Sequence, residues 1–86
     1  MTEIIYSKAT MRILLLRIHE GMEVLAGEVV INANSKCVLS AITGVITHVF
    51  VEEGDIVNVD DPLYEISTYG NGNQNSEDNY YQDYDE

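Results

Sequence analysis

Residues 33–37 read Ala-Asn-Ser-Lys-Cys, a polar break between the apolar runs Val29-Val30-Ile31 and Val38-Leu39. Lys36 is the residue of that break whose type suits covalent chemistry, because a primary amine on a protruding turn is an acyl acceptor. Lys8 is the only other lysine in the chain. Cys37 could offer a thiolate whose pKa is lowered by the adjacent cation. One lysine perturbs weakly, and no His stands close in sequence as a base, so an unreactive strand cysteine is expected. His19 and His48 have no Cys or His partner at ligand spacing, and no metal site is expected. Glu52, Glu53 and Asp55 could be read as paired acids for acid–base work or cation binding. No glycine-rich phosphate loop is present. These residues do not assemble an active site, and the expectation is a protein that is not an enzyme.

Composition narrows the classes. Eighty-six residues allow one domain with a thin core. There is no Trp and one Phe, so that core must be built from Val, Ile and Leu, and β-branched residues suit a pleated sheet. The net charge is −11. Residues 1–69 carry four basic and ten acidic residues, a net of −6; residues 70–86 carry five acids and no base, a net of −5. Direct nucleic acid binding needs basic residues against phosphates and is not expected, nor is adsorption to an anionic membrane. A basic protein partner, or solubility alone, stays open. A single cysteine excludes an internal disulfide and points to a reducing compartment. The apolar run Ile13–Leu16 is too short for a bilayer, and the start of the chain lacks the pattern of a signal peptide. A cytoplasmic location is the expectation.

The chain divides at Gly70. Residues 70–86 have no aliphatic side chain and are rich in Asn, Gly and acids, a composition that cannot offset the entropy of ordering. They are expected to form a disordered acidic tail. Tyr80, Tyr81 and Tyr84 could make it a docking segment for a basic partner. Residues 1–69 form the expected domain and contain a repeat. Gly21 and Gly54 lie 33 residues apart, and at that offset Ile13 meets Ile46, Ile18 meets Val51, Glu20 meets Glu53, Val24 meets Val57 and Val30 meets Leu63.

Each copy reads as strand, turn, short strand, turn, strand. The turns are Glu20-Gly21-Met22 and Glu53-Gly54-Asp55, then Leu25–Glu28 and Val59–Pro62. Pro62 lacks a donor N–H and belongs at a turn or strand start. Residues 9–18 could be proposed as a helix. Their repeat partners at 42–51 contain Gly44 and many β-branched residues, so strand is expected for both. Short strands at close turn spacing imply an all-β sandwich or barrel.

With the turns placed, residues 40–67 resemble the second half of biotinyl and lipoyl attachment domains. The matching features are Gly44-Val45-Ile46, then Val51–Val57 and Asp60–Ile66; residues 11–30 match the start of such domains more loosely. The resemblance covers about residues 10–68 and also extends to relatives that carry no cofactor. It implies a flattened barrel-sandwich (the hammerhead shape) of two four-stranded sheets with quasi-two-fold symmetry. It also implies solvated turn charge for Glu52, Glu53 and Asp55. In the carriers it resembles, a hairpin between the copies presents a lysine that receives biotin or lipoate, and the loaded arm then moves between active sites.

Here that hairpin departs from the pattern. Gly27 and Ala41 bracket it 14 residues apart. The resemblance implies about four more, and removing two from each arm keeps the strand alternation. On that register the turn centres on Asn34, Lys36 falls opposite Asn32, Val30 opposite Val38, and Ile31 opposite Cys37. Lysine is one place late and neither carrier signature flanks it. Val30, Val38 and Ile42 should point inward, while Ile31, Cys37 and Leu39 point outward as a candidate interface for a protein partner or a second copy. The alternative is that residues 3–9 fold over those three side chains. The expected function is therefore a non-enzymatic biotinyl/lipoyl-like domain, unmodified and acting in protein–protein interaction, with no cofactor. Two alternatives stand beside it: a carrier with biotin or lipoate on Lys36 serving a multienzyme complex, and an acidic inhibitor of a nucleic-acid-binding protein.

Overall fold

The 33-residue offset recurs strand by strand in the computed structural model, which describes residues 1–68. The first copy comprises β1 (Thr2–Tyr6), β2 (Met11–Leu16), β3 (Glu23–Val24) and β4 (Val29–Ala33). The second comprises β5 (Cys37–Leu39), β6 (Gly44–Val49), β7 (Ile56–Val57) and β8 (Pro62–Thr68). No helix occurs among the described residues, so none there is long and apolar enough to cross a membrane. The expected tail, residues 70–86, lies outside them.

Two antiparallel four-stranded sheets result, ordered β1-β8-β6-β3 and β5-β4-β2-β7. Exchanging the two copies converts one order into the other, which is the quasi-two-fold symmetry of a barrel-sandwich. Each sheet takes strands from both copies, so the pairings β1·β8, β4·β5, β2·β7 and β3·β6 tie the halves together.

The core obeys the same symmetry because the strand alternation is repeated. Ile13 and Ile46, Ile18 and Val51, Val24 and Val57, Val30 and Leu63, and Ile31 and Tyr64 are buried as offset pairs. Burial of aliphatic side chains at roughly 25 cal/mol per Å² is the main stabilising term for such a sheet pair. Polar groups repeat too. Ser7 and Ser40 are both buried, and their hydroxyls donate to Ala9 O at 2.6 Å and Ile42 O at 2.7 Å.

Turn chemistry follows the sequence with one shift. Gly21 and Gly54 have φ of 88° and 93°, where a side chain would be strained, and each donates its N–H across to the other copy, to Ile46 O and Ile13 O. The later turns are closed by Glu28 N on Leu25 O and by Asp61 N on Asn58 O. The second of these was expected one residue further on. Asp61 settles the matter, since its carboxylate also accepts the Asn58 N–H at 2.8 Å, as Glu28 does for Leu25 at 2.9 Å. Pro62 is thereby left to open β8.

Candidate functional site: the hairpin and the groove beside it

β4 and β5 are joined by Asn34, Ser35 and Lys36, and Ala33 N donates to Lys36 O at 2.8 Å to close the turn. Neither Asn34 nor Ser35 has positive φ, so Asn34 is not there for a left-handed backbone. Its work is on β2. Asn34 N donates to Arg12 O at 3.2 Å, and its Oδ1 accepts the Arg12 N–H at 3.1 Å. The turn therefore prolongs the sheet along β2 and does not stand off as a finger. Lys36 is exposed at its corner.

This anchoring moves the register by one residue from the expectation. Lys36 faces Ala33, not Asn32; Cys37 pairs with Asn32, and Val38 with Ile31. An irregularity between Val29 and Ile31 then brings Leu39 opposite Val29. A bulge of this kind lets consecutive residues escape strict alternation. Val30 and Ile31 are both 0 % exposed. Ile31, expected outside, belongs to the core and is withdrawn from the candidate interface. Val38 and Ile42 are only partly buried.

Cys37 and Leu39 remain at the surface, Leu39 with 55 % exposure. The Cys37 sulfur accepts the Asn32 amide at 3.3 Å, and Asn32 Oδ1 accepts from Arg17 Nε. Two rows cross the outside of this sheet: Leu15, Asn32 and Cys37 in one, Val29 and Leu39 in the other. Leu15, Val29 and Leu39 are exposed. The offset-equivalent rows on the other sheet read His48, Glu65 and Ile4, then Pro62 and Tyr6. That second face satisfies its own polar groups. Thr47 Oγ1 donates to Glu65 Oε1 at 2.8 Å, and His48 Nδ1 lies 3.3 Å from Glu20 Oε2. The two sheets thus differ most at one pair of offset-equivalent positions, where Leu15 on the first is matched by His48 on the second, while Ile4 and Tyr6 are exposed on the second face as well.

Residues 3–9 do not cover Leu39. β1 pairs with β8, at the edge of the other sheet. A groove of about 680 Å³ lies between this segment and β5, lined by Ile4, Lys8, Lys36, Cys37, Leu39 and Tyr64 among others. Tyr64 takes the place of Ile31 in the second copy, and its hydroxyl bonds with Ser40. Burial pushes its pKa above the usual 10.0, and the Ser40 bond opposes part of that rise. The folded chain then holds the phenolic proton more tightly than the unfolded chain. Stability is unaffected well below pH 10.0 and falls as pH rises past it towards the folded-state value. Urea midpoints at pH 9 and 11 are expected to differ more for the native chain than for Tyr64→Phe, and equal differences would contradict this account of Tyr64.

The acids singled out in the sequence shape turns. Glu53 Oε2 accepts the Leu16 N–H at 3.0 Å, and Asp55 Oδ2 accepts the Glu52 N–H at 2.9 Å. His19 Nδ1 lies 3.0 Å from the Glu20 carbonyl oxygen. Among the described residues, no three His, Cys, Asp or Glu side chains gather where they could hold a metal ion. The contributions that sequence reasoning passed over are Ser40, Tyr64, Lys8 and the Asn34–Arg12 contact. Ser7 and Ser40 were signalled by the offset, but nothing local to Tyr64 marks it as a groove residue.

Fold and site together define an antiparallel barrel-sandwich with a short linking hairpin and exposed Leu15, Val29 and Leu39 beside it. No protein-family model and no curated protein sequence matches the chain. Solved structures do share the fold. One is a single-chain, multi-domain long-chain acyl-CoA carboxylase, with a TM-score of 0.73 and 15 % identity over 81 % of this chain. Another is the urea carboxylase of Kluyveromyces lactis, with a TM-score of 0.65 and 26 % identity over 77 % of this chain. The chain spans only 7 % and 6 % of those two proteins. The likeness therefore concerns one small unit of each.

Proposed function

We propose that this chain is a biotinyl/lipoyl-like domain that stays unmodified, catalyses nothing itself, and works by protein–protein contact through the apolar outer face of its β4–β5 hairpin. One observation carries the reading. The hairpin tip is tied to β2 by Asn34, which leaves Lys36 at a sheet corner, while Leu39, Val29 and Leu15 stay exposed beside it. A swinging arm needs its amine at a free apex. An interface needs exposed apolar side chains in one patch, with aromatic or aliphatic anchors at its centre.

Leu39→Asp places a charge in that patch, on its edge strand β5, without touching the core. It is expected to remain folded and to lose association, by at least tenfold in Kd, whether the partner is a second copy or another protein. Sedimentation of the native and Leu39→Asp chains, alone and with candidate partners, checks this; identical behaviour would sink the interface. The fold shared with two carboxylases favours a second reading, in which Lys36 carries biotin or lipoate. Intact mass of the protein from its natural source, with the matching ligase present, separates them. No added mass at Lys36 is expected, and a biotinyl or lipoyl increment there would replace the first reading by the second.

A further inference from the structure

β1 and β5 are edge strands of different sheets, and the groove of about 680 Å³ is lined from both of them. The hydrogen bonds of β5 show which of its backbone groups face outward. Lys36 O accepts from Ala33 N at 2.8 Å, Ser40 N donates to Glu28 O at 2.8 Å, and Ser40 O accepts from Gly27 N at 2.7 Å. Residues 36 and 40 therefore turn their backbone groups towards β4 and the residues leading into it, and strand alternation gives Val38 the same direction. Cys37 and Leu39 turn theirs the opposite way, along the open side of the sheet. An added strand can satisfy such groups.

Both lysines of the chain line this groove, Lys8 after β1 and Lys36 just before β5, and both are exposed. Asp60 is the one carboxylate among the lining residues. The whole chain carries −11, but at physiological ionic strength charges further off than about 8 Å are largely screened. A segment entering the groove thus meets a local excess of positive charge. Ile4, Val38 and Leu39 supply apolar wall beside it. An acyl chain with a carboxylate head would suit the wall and the amines but leave the edge of β5 unpaired. An extended acidic polypeptide suits all three.

We propose that the groove is a strand-addition site for an acidic, β-branched segment of another protein, which pairs with the open side of β5 at Cys37 and Leu39 and sets its carboxylates against Lys8 and Lys36. The inference does not rest on contact through the outer face. Leu15 is exposed on that face and takes no part in lining the groove.

The probe is the peptide acetyl-Glu-Val-Asp-Val-Glu-Val-Asp amide, titrated onto the full-length chain. At saturation it is expected to slow hydrogen exchange of the Cys37 and Leu39 amides by about tenfold or more. Replacing both amines, by Lys8→Gln and Lys36→Gln at their exposed positions, should weaken binding by about tenfold or more and flatten its salt dependence. The same peptide with lysine at every acidic position should not bind. Leu15→Asp should leave the affinity unchanged, which separates the groove from the outer face. No binding of the acidic peptide, equal affinity for the double Gln variant, or binding that leaves the Cys37 and Leu39 amides exchanging as in the free chain would each overturn the proposal. A loss of affinity in Leu15→Asp would also overturn it, by moving the site to the outer face. So would dodecanoate binding more tightly than the peptide, since the occupant would then be an anionic amphiphile.

Discussion

Ile31→Asp is expected to be unfolded under conditions where Leu39→Asp retains the native fold. The two positions are close in the hairpin and were both expected outside on the sequence register. Ile31 is fully buried and Leu39 more than half exposed. An unpaired carboxylate at position 31 would be stripped of water with no partner, a penalty of several kcal/mol even after relaxation. A domain of this size holds only about 3–5 kcal/mol in total. Position 39 pays no such penalty. Far-ultraviolet circular dichroism and amide shift dispersion of the two variants would decide. A folded Ile31→Asp chain would return Ile31 to the surface and with it the register drawn from the sequence.

Gly44→Ala should be the most damaging Gly→Ala change among the described residues. A Cβ built there falls 2.3 Å from Ser67 O and 3.0 Å from Ser67 C. Both are backbone atoms of the neighbouring strand β8, so neither can turn away like the end of a side chain. Overpacking against a fixed neighbour costs about 1–3 kcal/mol and occasionally more, and here the upper end applies. Each kcal/mol lowers Tm by about 4–8 °C in a domain this small. Thermal melts should therefore show a fall of more than ten degrees, and Gly44→Val should not fold. The offset partner of Gly44 is Met11, which is buried without difficulty. The asymmetry has a cause: β8 runs on to Thr68 alongside Gly44, whereas β4 stops at Ala33 and turns. A Gly44→Ala chain that melts with the native one would mean that β6 and β8 do not approach so closely.

The resemblance read from Gly44-Val45-Ile46 and from the turns at Gly54 and Pro62 carried the architecture. The 33-residue offset fixed it independently, since both copies had to adopt one structure. Local pattern was enough for this because the offset constrains many positions at once, and the apolar alternation within each copy assigns faces. The same logic failed in the hairpin, which is where the two copies meet and no repeat partner stands in for the turn. There the register depended on whether Asn34 would turn freely or bond to Arg12, a residue 22 positions away. A one-residue difference in register reverses the face of every side chain beyond it unless a bulge intervenes.

Sequence alone determined that the described residues are all-β and built twice from one unit, and that the chain is acidic. Those properties follow from composition and from spacings repeated along the chain. Only the tertiary structure decided that Ile31 is core, that the lysine corner is tied down, and that both lysines face one groove between two open strand edges. Each of these depends on contacts between segments distant in sequence, such as Asn34 on β2 and β1 across from β5, and strand alternation carries no information about which distant backbone will claim a turn.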